Sequence, residues 1–251
     1  MTRRRFFAPP GAFNADAKTV ILAGDESRHL RDVLRLAHGD EVFVFDGQGH
    51  EYQCVVDESG RNTSTLTLVD EVESAAPESP LKLTLAVALL KGEKFDLVVQ
   101  KATELGVSRV VPVKTTRADI RLRDTADAQK RVARWQRIAL EAAKQSGRAF
   151  VPEVSSPIDF ALLVVNEEVA GTQRIMFSEK GGAPLQEMPF TAQPAGVTAL
   201  VGSEGGWADE ELDQAGKAGW RIVTLGGRTM RAETAAIAVT ALLQHLYGDL
   251  K

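Results

Sequence analysis

The chain has 251 residues, 44% of them hydrophobic and 25% charged, with a formal net charge of −4. This is the composition of a globular protein with room for one large domain or two modest ones, and it needs neither a disulfide nor a metal to hold a core. Cys54 is the single cysteine, which excludes an internal disulfide and points to a reducing compartment.

No apolar run reaches membrane-spanning length. The apolar stretch behind Arg3-Arg4-Arg5 is too short for a signal peptide, so a cytoplasmic protein is expected. Charge is unevenly spread: −6 over residues 1–79, +2 over 80–113, +6 over 114–148 and −6 over 149–251. A basic stripe on an acidic chain can still track phosphates, because the field that matters is local and screened. A solvated helix face is the plainer account of such a run taken alone.

Residues 1–73 read as β-rich. Strands are predicted at 19–22, 41–46, 51–57 and 64–69, with one helix at 27–36 and a tight connection at Gly47-Gln48-Gly49. Cys54 falls in the third strand and reads as a buried structural residue. Short strands at close spacing predict a small barrel. Residues 74–80 are polar with two prolines and read as a linker. From residue 81 the pattern alternates. Strands are predicted at 83–89, 109–113, 174–177, 198–202 and 221–225, and helices at 94–105, 125–146, 209–218 and 233–247. Such alternation implies a parallel α/β sheet. The last helix is apolar nearly all round, so it is buried from several sides. A second subunit or a central position in one domain would each account for it.

Absent motifs narrow the chemistry. The sequence has no Gly-x-Gly-x-x-Gly after a strand, no Walker A, no Gly-x-Ser-x-Gly, no His-Glu-x-x-His and no paired Cys-x-x-Cys. His29, His38, His50 and His245 are scattered and read as structural or surface residues. What remains is two glycine-bearing loops, each behind a C-terminal strand. The first is Gly202-Ser203-Glu204-Gly205-Gly206, after Leu200-Val201 and before an acidic helix start. Its glycines let backbone amides approach a ligand with no Cβ in the way. No lysine follows, so a polyphosphate is a poor guest, and a neutral or cationic ligand with an adenine and a ribose fits better. The second is Leu225-Gly226-Gly227-Arg228-Thr229-Met230-Arg231, leading into Glu233-Thr234-Ala235. Two arginines at a helix N-terminus oppose its dipole, and a placement against local preference points to function.

Together these loops resemble the SPOUT class of RNA methyltransferases, nearest the RsmE type, which methylates N3 of a uridine in 16S ribosomal RNA. That family shows Gly-Pro-Glu-Gly-Gly and then Leu-Gly-x-Arg-Ile-Leu-Arg-x-Glu-Thr-Ala. Ser203 stands here for the proline, and Thr229-Met230 for Ile-Leu. Further matches are Arg28-His29-Leu30-Arg31-Asp32-Val33-Leu34-Arg35, Lys101-Ala102-Thr103-Glu104-Leu105-Gly106-Val107, and Glu141-Ala142-Ala143-Lys144-Gln145-Ser146 with Arg148 and Pro152. Thr116-Arg117-Ala118 stands where the family has an arginine followed by serine.

The resemblance implies a PUA-like β-barrel over residues 1–73, a linker over 74–80, and a SPOUT α/β domain over 81–251 with a C-terminal trefoil knot, one of the rare exceptions to unknotted connections. It implies S-adenosylmethionine as cofactor, held by Leu200, Val201, Gly202, Glu204, Gly205, Leu225, Gly226, Met230, Thr234 and Ala235. It also implies a homodimer, with 16S RNA or the assembled small subunit as partner, and no metal or membrane. Uridine N3 carries a proton, so the anion that forms needs stabilising. Arg231, or alternatively Arg228, suits that task, being always charged and a forked donor. The base is open between Glu204, Glu233 and solvent. Arg3, Arg4, Arg5, Arg28, Arg31, Arg35 and Arg117 are candidate RNA contacts, with Arg121, Arg123, Lys130, Arg131, Arg134 and Arg137 as the basic stripe. A knotted enzyme acting on transfer RNA and a non-catalytic ribosome-assembly factor are the alternatives.

Overall fold

A computed structural model of the chain describes residues 3–166, 171–187, 194 and 196–251. Met1 and Thr2, the first residues of the predicted barrel, lie outside the described residues. The chain divides into two compact units: Met1–Glu78 with Leu140–Val151, and Ser79–Ala139 with Pro152–Lys251.

The first unit holds β1 (Arg5–Phe7), β2 (Phe13–Asn14), β3 (Thr19–Ala23), β4 (Glu41–Phe45), β5 (Glu51–Ser59) and β6 (Thr63–Val72). They form one mixed sheet in the order β1-β4-β5-β6-β3-β2, in which only the β1–β4 ladder is parallel. Alternate residues point to one side: Val20 and Leu22, Val42 and Val44, Cys54 and Val56, and Leu66. With Phe6 and Leu30 they make a single core cluster, so the sheet curls around its own apolar face. The β5–β6 ladder slips register at Gln53/Cys54 and again at Val56/Glu58, and such bulges bend and twist a strand. Between β3 and β4 the predicted helix is present in two parts, α1 (Gly24–Arg28) and a wider π-helical turn over His29–Val33. Cys54 is buried, and burial pushes its thiol pKa up to about 12. That agrees with a structural role.

The segment Leu140–Val151 is tied into this unit by side chains that also bind the strands. Arg5, whose side chain is 8% exposed, meets the fully buried Glu51 at 2.9 Å and donates to the carbonyls of Lys144 (3.1 Å) and Arg148 (3.0 Å). Arg148 pairs with Glu78 at 2.7 Å, and Lys144 with Glu26 at 2.6 Å. A carboxylate as buried as Glu51 is tolerable only because several N–H donors meet it.

The second unit is built on a wholly parallel sheet. Its strands are β7 (Lys82–Ala88), β8 (Arg109–Lys114), β9 (Glu153–Val154), β10 (Ile158–Asp159), β11 (Gln173–Phe177), β12 (Ala183–Pro184), β13 (Gly196–Val201) and β14 (Arg221–Thr224). The order is β10-β8-β7-β13-β11-β14-β12, with β9 also beside β8. All of β13 is buried, as expected of a central strand covered on both faces. The helices are α2 (Lys94–Glu104), α3 (Thr125–Ser146, whose end from Leu140 belongs to the first unit), α4 (Phe160–Val164), α5 (Asp209–Lys217) and α6 (Ala232–Tyr247). The short elements β1, β2, β9, β10, β12 and α4 were not predicted, being too brief to show a period.

α6 packs against α2, β7 and β13. It buries one face, including Ala236, Val239 and Leu243, while Leu242 and Leu246 on the other side are 38% and 48% exposed. No helix among the described residues is long and apolar enough to cross a membrane.

Candidate cofactor site

The topology of the second unit brings three loops together. β13 lies between β7 and β11, and β14 lies on the far side of β11. All run parallel, so the carboxyl ends of β11, β13 and β14 sit side by side. Ligands collect at such edges. The loops leaving these three ends, with the start of α6, enclose a cavity of about 330 Å³, within the range of small-molecule sites.

Each loop is shaped by identifiable contacts. In the first glycine loop, Gly202 lies against the buried Trp207, so that a Cβ there would fall 3.1 Å from the indole. The Trp207 Nε1–H donates to the carbonyl of Phe177 at 2.7 Å, fastening this loop to the end of β11. Gly206 takes φ +65°, and the carboxylate of Glu179 occupies the space a Cβ would need. Glu211, 5% exposed, closes the loop's far end. It accepts from Ala208 N at 3.0 Å and from Thr116 N at 2.9 Å. In the second glycine loop Gly226 takes φ +112°, a conformation side chains rarely adopt. Arg231 is the N-cap residue of α6.

Of the predicted cofactor residues, Val201, Gly202, Glu204, Leu225, Gly226, Met230 and Ala235 line the cavity, together with Arg228 and Arg231. Leu200 does not; it is fully buried in the core beneath, with Met176 and Trp207. Gly205 is turned to Arg117, whose guanidinium approaches its carbonyl at 3.4 Å. Thr234 is exposed on the first turn of α6, away from the lining. The sequence reading missed the third loop, Phe177-Ser178-Glu179, which also lines the cavity. Its signal was present: Gly181-Gly182 follow a strand end just as the other glycines do.

The electrostatics are mixed. Arg228 and Arg231 are exposed, and their side chains carry no hydrogen bond or ion pair among the described residues. Glu204 pairs with Lys94 of α2 at 2.7 Å. Partial burial pushes its carboxyl pKa up, but the hydrogen bond and charge of Lys94 and the backbone donors outweigh burial and hold it below the usual carboxylate range. Among the buried oxygens with no partner in the described residues, two belong to the glycine-loop segments: Ser203 Oγ, in the lining, and Glu233 Oε2, outside it. No group of three or more His, Cys, Asp or Glu among the described residues could hold a metal ion.

The predicted RNA contacts divide. Arg5 spends its donors on Glu51 and two backbone carbonyls. Arg3 is shared between Glu51 and the carbonyl of Glu73. Arg28 is paired with Asp25, and Arg31 with Asp32. Arg4 and Arg35 are exposed, and their side chains have no hydrogen bond or ion pair among the described residues. In the second unit Arg117 is exposed beside the first glycine loop.

Comparison with known proteins agrees with this geometry. Residues 77–244 match the model of an RNA methyltransferase domain, and residues 22–69 that of an RNA methyltransferase PUA domain. Ribosomal RNA small subunit methyltransferase E of Synechocystis is 34% identical over 98% of this chain and 78% of its own length. The Bacillus subtilis protein of the same name is 30% identical over 93% and 94%. The crystal structure of that enzyme from Neisseria gonorrhoeae, bound to S-adenosyl methionine, superposes with a TM-score of 0.87 at 33% identity over the whole of both chains. The chain belongs to the ribosomal RNA small subunit methyltransferase E family.

Proposed function

We propose that this chain, by family an S-adenosylmethionine-dependent ribosomal RNA methyltransferase, methylates N3 of one uridine in 16S RNA of the small subunit. Residues 1–73 act as the PUA-like barrel that holds RNA, 74–80 as the linker, and 81–251 as the catalytic domain, which lends Leu140–Val151 to the first unit and whose three loops form the trefoil knot. The reading is carried by one observation: three loops from adjacent parallel strands enclose a cavity lined, among the described residues, by two unpaired arginines and no lysine.

The lining suits S-adenosylmethionine. Backbone and small side chains at Gly202, Gly226 and Ala235, with apolar Val201, Leu225 and Met230, leave room for an adenine. The unpartnered buried hydroxyl of Ser203 is a polar group in want of a partner. Glu179 and Glu204 set acidic charge beside a ligand that carries two cationic centres. When bound, that ligand supplies a methyl group on a sulfonium. The chain's residues do the rest. Arg231, at the cavity edge and first in α6, stabilises negative charge that spreads to the uracil carbonyl oxygens as N3 loses its proton, with Arg228 as the alternative. Glu204 is a carboxylate of the lining, yet its Lys94 partner makes it a weak base, so solvent serves equally as the proton's destination. Because the methylated edge is the pairing edge, the uridine has to be unpaired or flipped out. Arg4, Arg35 and Arg117 are the contacts freest to meet phosphates, with Arg28 and Arg31 able to exchange exposed acid partners for them.

A homodimer belongs to the same proposal. Leu242 and Leu246 leave an apolar strip of α6 uncovered in the single chain, and a second copy would cover it. The test of function is mass spectrometry of 16S RNA from cells lacking the gene. The expected result is loss of one methyluridine, restored by the wild-type chain. Unchanged 16S RNA with a loss in transfer RNA would overturn the substrate.

A further inference from the structure

The first unit has a concavity of its own, about 880 Å³, lined by the chain at Arg3–Arg5, the helical turn with His29 and Leu34, the segment 73–75 and residues 141–147. The motif of Glu141, Lys144, Gln145 and Arg148 lies beside it, and packing explains only half of that motif. Lys144 and Arg148 turn inward, onto Glu26 and Glu78. Glu141 and Gln145 do the opposite. They stand one turn apart on α3, are exposed, have side chains with no hydrogen bond or ion pair among the described residues, and both line the groove. Arg4, also exposed and unpaired, lines it too, as do His29 and Leu34. Leu34 is 39% exposed.

Three kinds of group therefore share one groove: a free guanidinium, a flat ring with an apolar neighbour, and a carboxylate beside an amide. Side chains at i and i+4 lie about 5–6 Å apart at Cβ and can address one ligand edge together. A single-stranded nucleotide asks for these things, namely charge for its phosphate, a surface for its base, and hydrogen-bond partners for its edge. An ionised carboxylate only accepts. It favours a base whose pairing edge carries an exocyclic amino group and disfavours uracil, whose pairing edge has one N–H between two carbonyls.

We propose that this groove docks an unpaired nucleotide of the RNA substrate other than the target uridine, one whose base bears an amino group. Glu141 and Gln145 read its pairing edge, His29 and Leu34 support its ring, and Arg4 holds its phosphate. The proposal rests on the methyltransferase reading only for the class of ligand, RNA.

The experiment is fluorescence anisotropy of the full chain with labelled octacytidylate and octauridylate at several salt concentrations. The wild type is expected to bind octacytidylate about tenfold more tightly, the scale of one base-edge contact. The Glu141→Ala, Gln145→Ala double variant should lose that preference while keeping its melting temperature. Arg4→Ala should weaken both oligomers alike and flatten the salt dependence. Equal binding of the two oligomers by the wild type, binding of neither, or a preference that survives the double variant would each overturn the proposal. Calorimetry of S-adenosylmethionine with the double variant reports separately on the cavity. Lost discrimination with intact uptake supports the groove. Absent uptake in the wild type counts against the methyltransferase reading and leaves the groove result standing.

Discussion

Arg5 and Arg148 in the first unit are 8% and 5% exposed at their side chains and rest on Glu51 and Glu78, whereas Arg228 and Arg231 in the second unit are exposed at a cavity with no ion pair among the described residues. The same side chain does different work in the two places. A guanidinium buried against a carboxylate has already exchanged water for protein acceptors, and losing either partner of the pair strands a charge. A guanidinium left in solvent beside a concavity contributes little to the fold and is available for an anion that arrives later. Burial and pairing, not residue type, separate structural arginines from working ones here.

The sharpest way to break this contrast is to remove Glu51. Glu51→Ala leaves Arg5 buried without its acid and is expected to cost about 3–5 kcal/mol of stability in urea unfolding. A loss below about 1 kcal/mol, the scale of a surface pair, would show that the Arg5 site is wet. Arg231→Ala should do the reverse. Single-turnover methylation with cofactor bound should fall about 10²- to 10³-fold, the scale of losing one oxyanion donor, with no change in melting temperature. An unchanged rate would remove Arg231 from the chemistry.

Gly206→Ala tests the backbone side of the cavity. A Cβ at φ +65° is strained and collides with the Glu179 carboxylate, so uptake of S-adenosylmethionine should weaken about tenfold, equivalent to the 1–2 kcal/mol of that conformation. The ion pair of Lys94 with Glu204 gives a smaller, pH-dependent effect. The folded-state carboxyl pKa is depressed, so the pair's stabilisation is present above the ordinary carboxylate value of about 4.3 and is lost as pH falls through the depressed one. Lys94→Met should therefore lower the melting temperature at neutral pH, and the gap from wild type should close as pH drops below about 4. Both side chains are about a third exposed, which keeps the effect under about 1 kcal/mol. The smallest effect is at Cys54. With its pKa pushed up to about 12 by burial, it should resist alkylation at neutral pH in the folded chain and react once urea unfolds it.

Long periodic elements were legible in the sequence. The predicted helix at 125–146 is α3 to the residue, and nine of the strands were placed within a few residues of their observed ends. Two of the three cavity loops were legible as well, because glycines, acids and arginines break the apolar pattern there. The third was passed over because Ser178-Glu179 looks like any polar turn, and Gly181-Gly182 behind it mark a loop without saying what it lines. Its part in the cavity follows from β11 lying beside both β13 and β14, a matter of strand order that no local pattern encodes. Arg5 fails for a related reason. Next to Arg3 and Arg4 it reads as one of three solvent-facing cations, and only the β1–β4–β5 pairing, 46 residues along the chain, sets it on Glu51. The membership of Leu140–Val151 in the first unit is likewise written in contacts distant in sequence, such as Arg148 with Glu78 and Lys144 with Glu26.

Isothermal titration of the 251-residue chain with S-adenosylmethionine tests the central claim most directly, that loops from three neighbouring strands form the methyl donor's site. One ligand bound per chain, with uptake weakened by Gly206→Ala and retained in Glu141→Ala, is the predicted result. A folded wild-type chain that takes up no S-adenosylmethionine would contradict it.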